Sequence, residues 1–222
     1  MAITFIDSGS AASTNGSSVT SSEINTTGAT FLVANIVWFK PAGSFSFTDS
    51  YGNTWTPLTA RFAQDYASTR LYYCFPPANK VGSGHTFSVT TDAPGIAVAA
   101  FSGVNPAGTI QESGAGSGGL GSGTQTAQAG SLTPGANGSL IIHGSNIVGT
   151  SPSINSSLTL VSSAFEAGKA FGCNLGYLIQ TTAAAINPTL TWNNGSGGER
   201  CIALATFAPA ASGARRRRLI AA

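Results

Sequence analysis

Charge is what this chain has least of. Only 8% of its 222 residues are Asp, Glu, Lys or Arg, against about 25% in an ordinary soluble domain. A surface made mainly of Ser, Thr, Asn, Gly and Ala repels its neighbours weakly, which suits close packing or adhesion. The formal net charge of +2 misleads, because Arg215, Arg216, Arg217 and Arg218 supply four positive charges in one run. Without that run, six basic residues face eight acidic ones. A nucleic-acid-binding domain spreads Lys and Arg across one face; this near-neutral body does not, so nucleic acid is not an expected partner.

Cysteine is scarce as well. Cys74, Cys173 and Cys201 show no CxxC spacing and are expected to be buried free thiols, with a Cys173–Cys201 bridge left open. Three scattered Cys and two His make a poor zinc set. No apolar run approaches the roughly 18 residues of a membrane span, and Met1–Asp7 lacks the basic and apolar regions of a secretory signal.

Catalytic signatures are missing too. There is no GxSxG elbow, no Walker A loop, no GxGxxG after a strand and no HExxH. A glycosidase needs two carboxylates roughly 5–10 Å apart. Among the eight acidic residues, Glu166 and Glu199 come nearest to a pair, and both read better as loop charges. His85, after the Gly82-Ser83-Gly84 turn, reads as an exposed turn residue. His143, inside an apolar run, reads as a buried, hydrogen-bonded neutral imidazole. Asp49-x-x-Gly52-Asn53 offers too few acids for calcium and reads as a turn. No metal and no cofactor is expected, and the chain is expected not to be an enzyme.

What the chain does have is a repeat. Gly28–Val37 is echoed by Gly138–Val148, Thr86–Thr91 by Thr189–Asn194, and Gly95–Val104 by Arg200–Pro209. A period near 105 residues is too long for a solenoid unit. It divides residues 1–210 into halves of about 1–106 and 107–210, leaving 211–222 as a flexible basic tail.

The segments read as strands. Phe31–Phe39 is almost wholly apolar, the mark of a strand covered on both faces. Phe45 and Phe47 alternate with polar residues, and Asp49–Asn53 then suggests a hairpin restarting at Trp55. The Gly/Ser-rich stretch 103–138 reads as either a linker or two weakly packed strands, and the repeat favours strands. Ala164–Ala170 is the one helical candidate, short and uncapped. Some fifteen short strands with frequent turns point to an all-β sandwich of two stacked sheets. Its core is expected to hold Phe31, Val33, Trp38, Phe87, Val98, Phe101, Leu140, Ile142, Leu175, Leu190, Leu204 and Phe207.

The set DSYGNTWTPL (49–58), LYYCFPPANKVGSGHTFSVTT (71–91), GIAVAAFSGV (95–104) and CIALATFAP (201–209) resembles jelly-roll, concanavalin-like β-sandwich modules. Such modules occur in bacteriophage virion proteins and in modular secreted bacterial proteins. The likeness covers about residues 1–210 and is carried by structural motifs, so it implies a fold and transfers no functional residue. It implies an all-β, jelly-roll-like sandwich of two tandem degenerate copies.

Joined to the low charge and the missing export signal, the resemblance points to a non-enzymatic virion protein. The expected role is capsid decoration (cement) or tail surface, made in the host cytoplasm and packed against other virion proteins and itself. The tail supplies a docking segment: Arg215–Arg218 for acidic groups, Leu219 and Ile220 for a groove or sheet edge. A solubilising end is the alternative for those residues. Two other functions stay open. One is a carbohydrate-binding or host-adhesion module, with Tyr51 as the exposed glycan contact. The other is a glycan hydrolase on the same scaffold.

Overall fold

The computed structural model describes residues 1–13, 16–39, 45–64, 67–165, 171–194 and 198–211. The first half forms β1 (Thr4–Ala12), β2 (Ser18–Thr20), β3 (Phe31–Phe39), β4 (Ser46–Asp49), β5 (Thr56–Pro57), β6 (Arg61–Phe62), β7 (Ala67–Cys74), β8 (Phe87–Thr90) and β9 (Gly95–Ser102). The second half forms β10 (Gln111–Leu120), β11 (Gly123–Gln128), β12 (Ser139–Val148), β13 (Thr150–Ile154), β14 (Thr159–Phe165), β15 (Phe171–Gln180), β16 (Thr189–Asn194) and β17 (Gly198–Phe207). The fold is all-β and jelly-roll-like, with antiparallel pairing between neighbouring strands.

Four sheets form, where the sequence led us to expect two. The first half builds a large sheet in the order β1-β9-β3-β7-β5, with β6 also on β7, and a small one, β2-β8-β4. The second half builds β10-β17-β12-β15-β14 and β11-β16-β13. Strand for strand, the orders correspond: β1 to β10, β3 to β12, β7 to β15 and β9 to β17 in the large sheets, β2, β8 and β4 to β11, β16 and β13 in the small ones.

Strand β3 shows why the layers stack as they do. Eight of its nine residues are buried, and period-2 alternation sends neighbours to opposite faces. Leu32, Ala34, Ile36 and Trp38 face the small sheet of their own half, where they meet Phe87 and Val89. Phe31, Val33 and Val37 face the other way, into a core shared with Leu140, Ile142, Leu175, Ala203, Ala205 and Phe207 of the second half. A third core, with Ile141, Leu190, Trp192 and Leu204, fills the second half. The two large sheets therefore lie face to face between the two small ones. All twelve expected core residues are buried, but across three cores.

The contact between the large sheets is reciprocal. β7 touches β17 as β15 touches β9, and β12 touches β7 as β15 touches β3. Tyr73 sets its ring edge-on to Phe207 at 5.6 Å, and Tyr177 does the same to Phe101 at 5.2 Å. Residue i meeting j while the counterpart of i meets the counterpart of j is the pattern of an isologous, twofold interface. Gly144 lies opposite Asn35, its own counterpart by strand register, and a Cβ there would come within 2.7 Å of that side chain.

Polar groups fasten the same interface. Asn35 Nδ2 donates to the carbonyls of Ser145 (3.1 Å) and Asn174 (3.0 Å), and Asn35 Oδ1 accepts from Thr69 Oγ1. Asn146 Nδ2 donates back to Ser68 O at 3.0 Å. Glu199, read from sequence as a loop charge, is instead buried in β17 and accepts from the Ala67 amide of the first half. Glu166 lies outside the described residues.

Other expectations change as well. β4 and β5 do not form a hairpin: β4 belongs to the small sheet and β5 to the large one, so Ser50–Trp55 crosses between layers. The crossing is made because Asp49 holds the chain after β4, as described below. Stretch 103–138 does contain two strands, β10 and β11. β14 runs through Phe165; the rest of the helical candidate, 166–170, lies outside the described residues. All three cysteines are free and buried.

Candidate functional site

The first half holds one buried hydroxyl–imidazole–carboxylate chain. Thr26 Oγ1 lies 2.9 Å from His85 Nδ1, and His85 Nε2 lies 3.0 Å from Asp49 Oδ1. Three separate stretches bring these groups together. Asp49 ends β4, His85 precedes β8, and Thr26 follows the Ile24–His85 bridge. His85 and Thr26 have no exposed surface, so the reading of His85 as an exposed turn residue is corrected.

The same residue types in this order drive nucleophilic catalysis elsewhere, so the geometry needs testing. Asp49 is saturated with donors: Trp55 Nε1 at 2.7 Å, the Tyr51 amide at 2.9 Å, and both the amide and Nδ2 of Asn53. Burial alone would raise its pKa, but the hydrogen bonds from His85, Trp55, Asn53 and Tyr51 together hold it below the ordinary carboxylate value. Thr26 Oγ1 accepts from the Gly82 amide at 2.9 Å and donates to Gly82 O at 3.1 Å. The imidazole is stacked on Phe87 at 4.2 Å and covered edge-on by Tyr51 at 4.6 Å. A nucleophile needs a free approach to an electrophile. Here the hydroxyl is committed and the rings close over the base, so the arrangement is a lock that fixes the layer crossing.

Tyr51 itself is half-buried, and its hydroxyl donates to Ser83 O at 3.2 Å. It serves as the lid of the lock. Trp55 is partly buried on Asp49, and Trp192 is fully buried. The tail candidates Arg215, Arg216, Arg217, Arg218, Leu219 and Ile220 also lie outside them. His143 is buried as expected, yet neither ring nitrogen has a hydrogen-bond partner among the described residues. Burial brings its pKa down to about 4, so it stays neutral. Burial likewise pushes the Cys74 thiol up to about 12 and Cys173 above its ordinary value, which keeps both unreactive.

Sequence reasoning missed the lock because Asp49 and His85 stand 36 residues apart. The repeat gave no signal, since Thr86–Thr91 answers to Thr189–Asn194 and so sets Pro188 against His85.

The second half carries the other feature, an open groove of about 600 Å³ at the end of β15. It lies between the β13–β14 turn at Ser156–Ser157 and the connection that leads to Asn187.

No family model matches the chain, and no curated protein matches it. Among solved structures, the crystal structure of Cucumber Necrosis Virus is similar over 96% of this chain and 97% of that one, at 12% identity and a TM-score of 0.26. So low a score carries no argument about function. No helix among the described residues is long and apolar enough to cross a membrane.

Proposed function

We propose that the chain is a non-enzymatic structural subunit of a bacteriophage virion, a capsid decoration or tail-surface protein. One observation supports this reading above the rest: the acid–base cluster and the interface asparagines are engaged in holding layers together. A body whose buried polar chemistry goes into rigidity, under a surface with little charge, is made for mechanical contact. Its partners are other virion proteins and further copies of itself.

The tail is the docking segment of this proposal. Arg215–Arg218 pair with carboxylates on the particle while Leu219 and Ile220 enter a groove or extend a sheet edge. Quantitative mass spectrometry of purified particles tests the reading, with the chain expected at fixed stoichiometry to the major shell protein. Deleting 215–220 is expected to leave the β-body folded and strip it from particles. Absence from intact particles counts against the whole proposal; unchanged incorporation of the truncated chain counts against the docking role alone.

A further inference from the structure

The small sheet of the first half carries a regular pattern on its outer side. Each of its three strands holds one Ser-x-Thr triplet: Ser18-Val19-Thr20 in β2, Ser46-Phe47-Thr48 in β4 and Ser88-Val89-Thr90 in β8. Period-2 alternation turns Val19, Phe47 and Val89 inward to the first-half core and each Ser and Thr outward. Antiparallel register then aligns the hydroxyls in two rows, Ser18–Thr90–Ser46 and Thr20–Ser88–Thr48. All six residues but Ser88 are exposed. Thr20 Oγ1 and Ser88 Oγ share a hydrogen bond at 2.8 Å, and the other four hydroxyls have no partner among the described residues.

A solvated sheet face is ordinarily studded with Lys and Glu, whose charge keeps proteins apart. Here the outward positions carry no charge, no aromatic ring and no large apolar side chain, and each absence narrows the partner. Without a cation the face holds no nucleic-acid backbone. Without a ring it gives a sugar nothing to stack on. An apolar partner would bury its hydroxyls unmatched. What it fits is another array of neutral groups that both donate and accept, as each hydroxyl does, and its own copy is such an array. About a twofold axis the same residues meet with no like charges opposed, the isologous arrangement in which the two large sheets already meet inside the chain.

We propose that the β2-β8-β4 face is the surface by which one copy of the chain meets another, hydroxyl rows against hydroxyl rows. The proposal rests on the reading above that copies pack together, and names the surface they use. The lock serves it: Asp49 ends β4 and His85 precedes β8, so two of the three strands of the face are pinned to one another from within. Strand spacing and rise give the face roughly 150–200 Å², against about 800 Å² per partner in a standard stable interface. The contact is therefore weak between free molecules and becomes effective where many copies are held side by side. The small sheet of the second half lacks the triplets, with Gln128 and Asn193 among its outward threonines.

Disulfide trapping of the full chain tests this, because all three native cysteines are buried and an introduced thiol is the reactive one. Thr90→Cys sits in the central strand of the face; Asn79→Cys, exposed elsewhere on the surface, measures chance collision. Under oxidation at about 100 µM, Thr90→Cys is expected to give covalent dimer about tenfold faster than Asn79→Cys. Adding Thr20→Glu with Thr48→Glu is expected to bring the rate down to the Asn79→Cys level, and Thr20→Lys with Thr48→Lys is expected to do the same. Thr124→Glu with Thr126→Glu places equal charge on the other small sheet and is expected to leave the rate unchanged. Equal rates for Thr90→Cys and Asn79→Cys, or a rate that neither charged pair on the face lowers, overturns the proposal. Equal rates in a chain found at fixed stoichiometry in particles overturn the surface alone; trapping confined to the face in a chain absent from particles overturns the virion reading alone.

Discussion

The two halves share a strand order and differ in what fills it. At the end of the fourth strand and at the bridge before the small-sheet centre, one half has Asp49 and His85 and the other has Ile154 and Ile186. The first pair brings Thr26, Trp55, Tyr51 and Asn53 into one polar network. The second joins an apolar core with Leu190 and Trp192. A second exchange runs the other way. Ala34 stands beside Tyr72 in the first half, while in the same register His143 stands beside Gly176. Large and small residues swap strands, so the same register is filled with different shapes. The lesson is that one strand order accepts unlike fillings, a polar network in one half and an apolar core in the other.

The comparison is broken most sharply at the shared core. Phe207 packs against Phe31 at 4.7 Å and against Tyr73, so Phe207→Ala is expected to cost about 3–5 kcal/mol. Because that core belongs to both halves, calorimetry is expected to show one transition for wild type and variant alike. Two separated transitions would mean that the halves are independent bodies.

The lock comes next. Asp49→Ala leaves His85 and Trp55 without an acceptor in a buried site, an expected loss of about 3 kcal/mol. The double change Asp49→Ile with His85→Ile imports the solution of the other half and is expected to cost less than the single one, by urea denaturation. A double variant that is the weaker of the two would show that the halves do not trade solutions.

His143 gives the second half an acid sensitivity. Its folded pKa of about 4 lies below the unfolded value of 6.5, so the unfolded chain binds more protons between them and stability rises with pH. The contribution is fully present above pH 6.5 and lost as pH falls towards 4, up to about 3 kcal/mol. The facing strands β11, β13 and β16 carry no titratable side chain, and on the same face of its own sheet only the Arg200 cation is charged. Nothing there compensates a proton. His143→Leu is expected to flatten the stability profile across pH 4–6.5; an unchanged slope would place the sensitivity elsewhere.

The smallest effects fall on the turns. Gly52 has φ of 66° and Ser157 has φ of 60°. Gly52→Ser is expected to destabilise, and Ser157→Gly to stabilise, each by about 1 kcal/mol. Equal signs for the two would sharpen the contrast by showing that the second turn tolerates serine through its own contacts.

Much of the fold was legible. The almost wholly apolar run Phe31–Phe39 announced a strand covered twice. The repeat made only the start of β10 legible, as a weak strand over Thr109–Ser113; its Gly-rich continuation to Leu120 was not. Its glycines let the β10 backbone sit close to β6: a Cβ on Gly116 would fall 2.0 Å from Phe62 O. The site was much less legible. His85 follows a glycine turn and looks like a surface residue, while Glu199 looks like a loop charge among Gly and Asn. Both are interior because of what lies opposite them.

By itself, then, the sequence determined that the chain is built of strands and which apolar side chains must leave water. Those follow from periodicity and composition, which are local properties of the chain. Only the tertiary structure decided that the two large sheets meet face to face, that Ala67 reaches Glu199 across 132 residues, and that Tyr51 closes a lock. A polar side chain is stabilised or penalised by the partner it finds on burial, and that partner is chosen by packing between surfaces far apart in the chain.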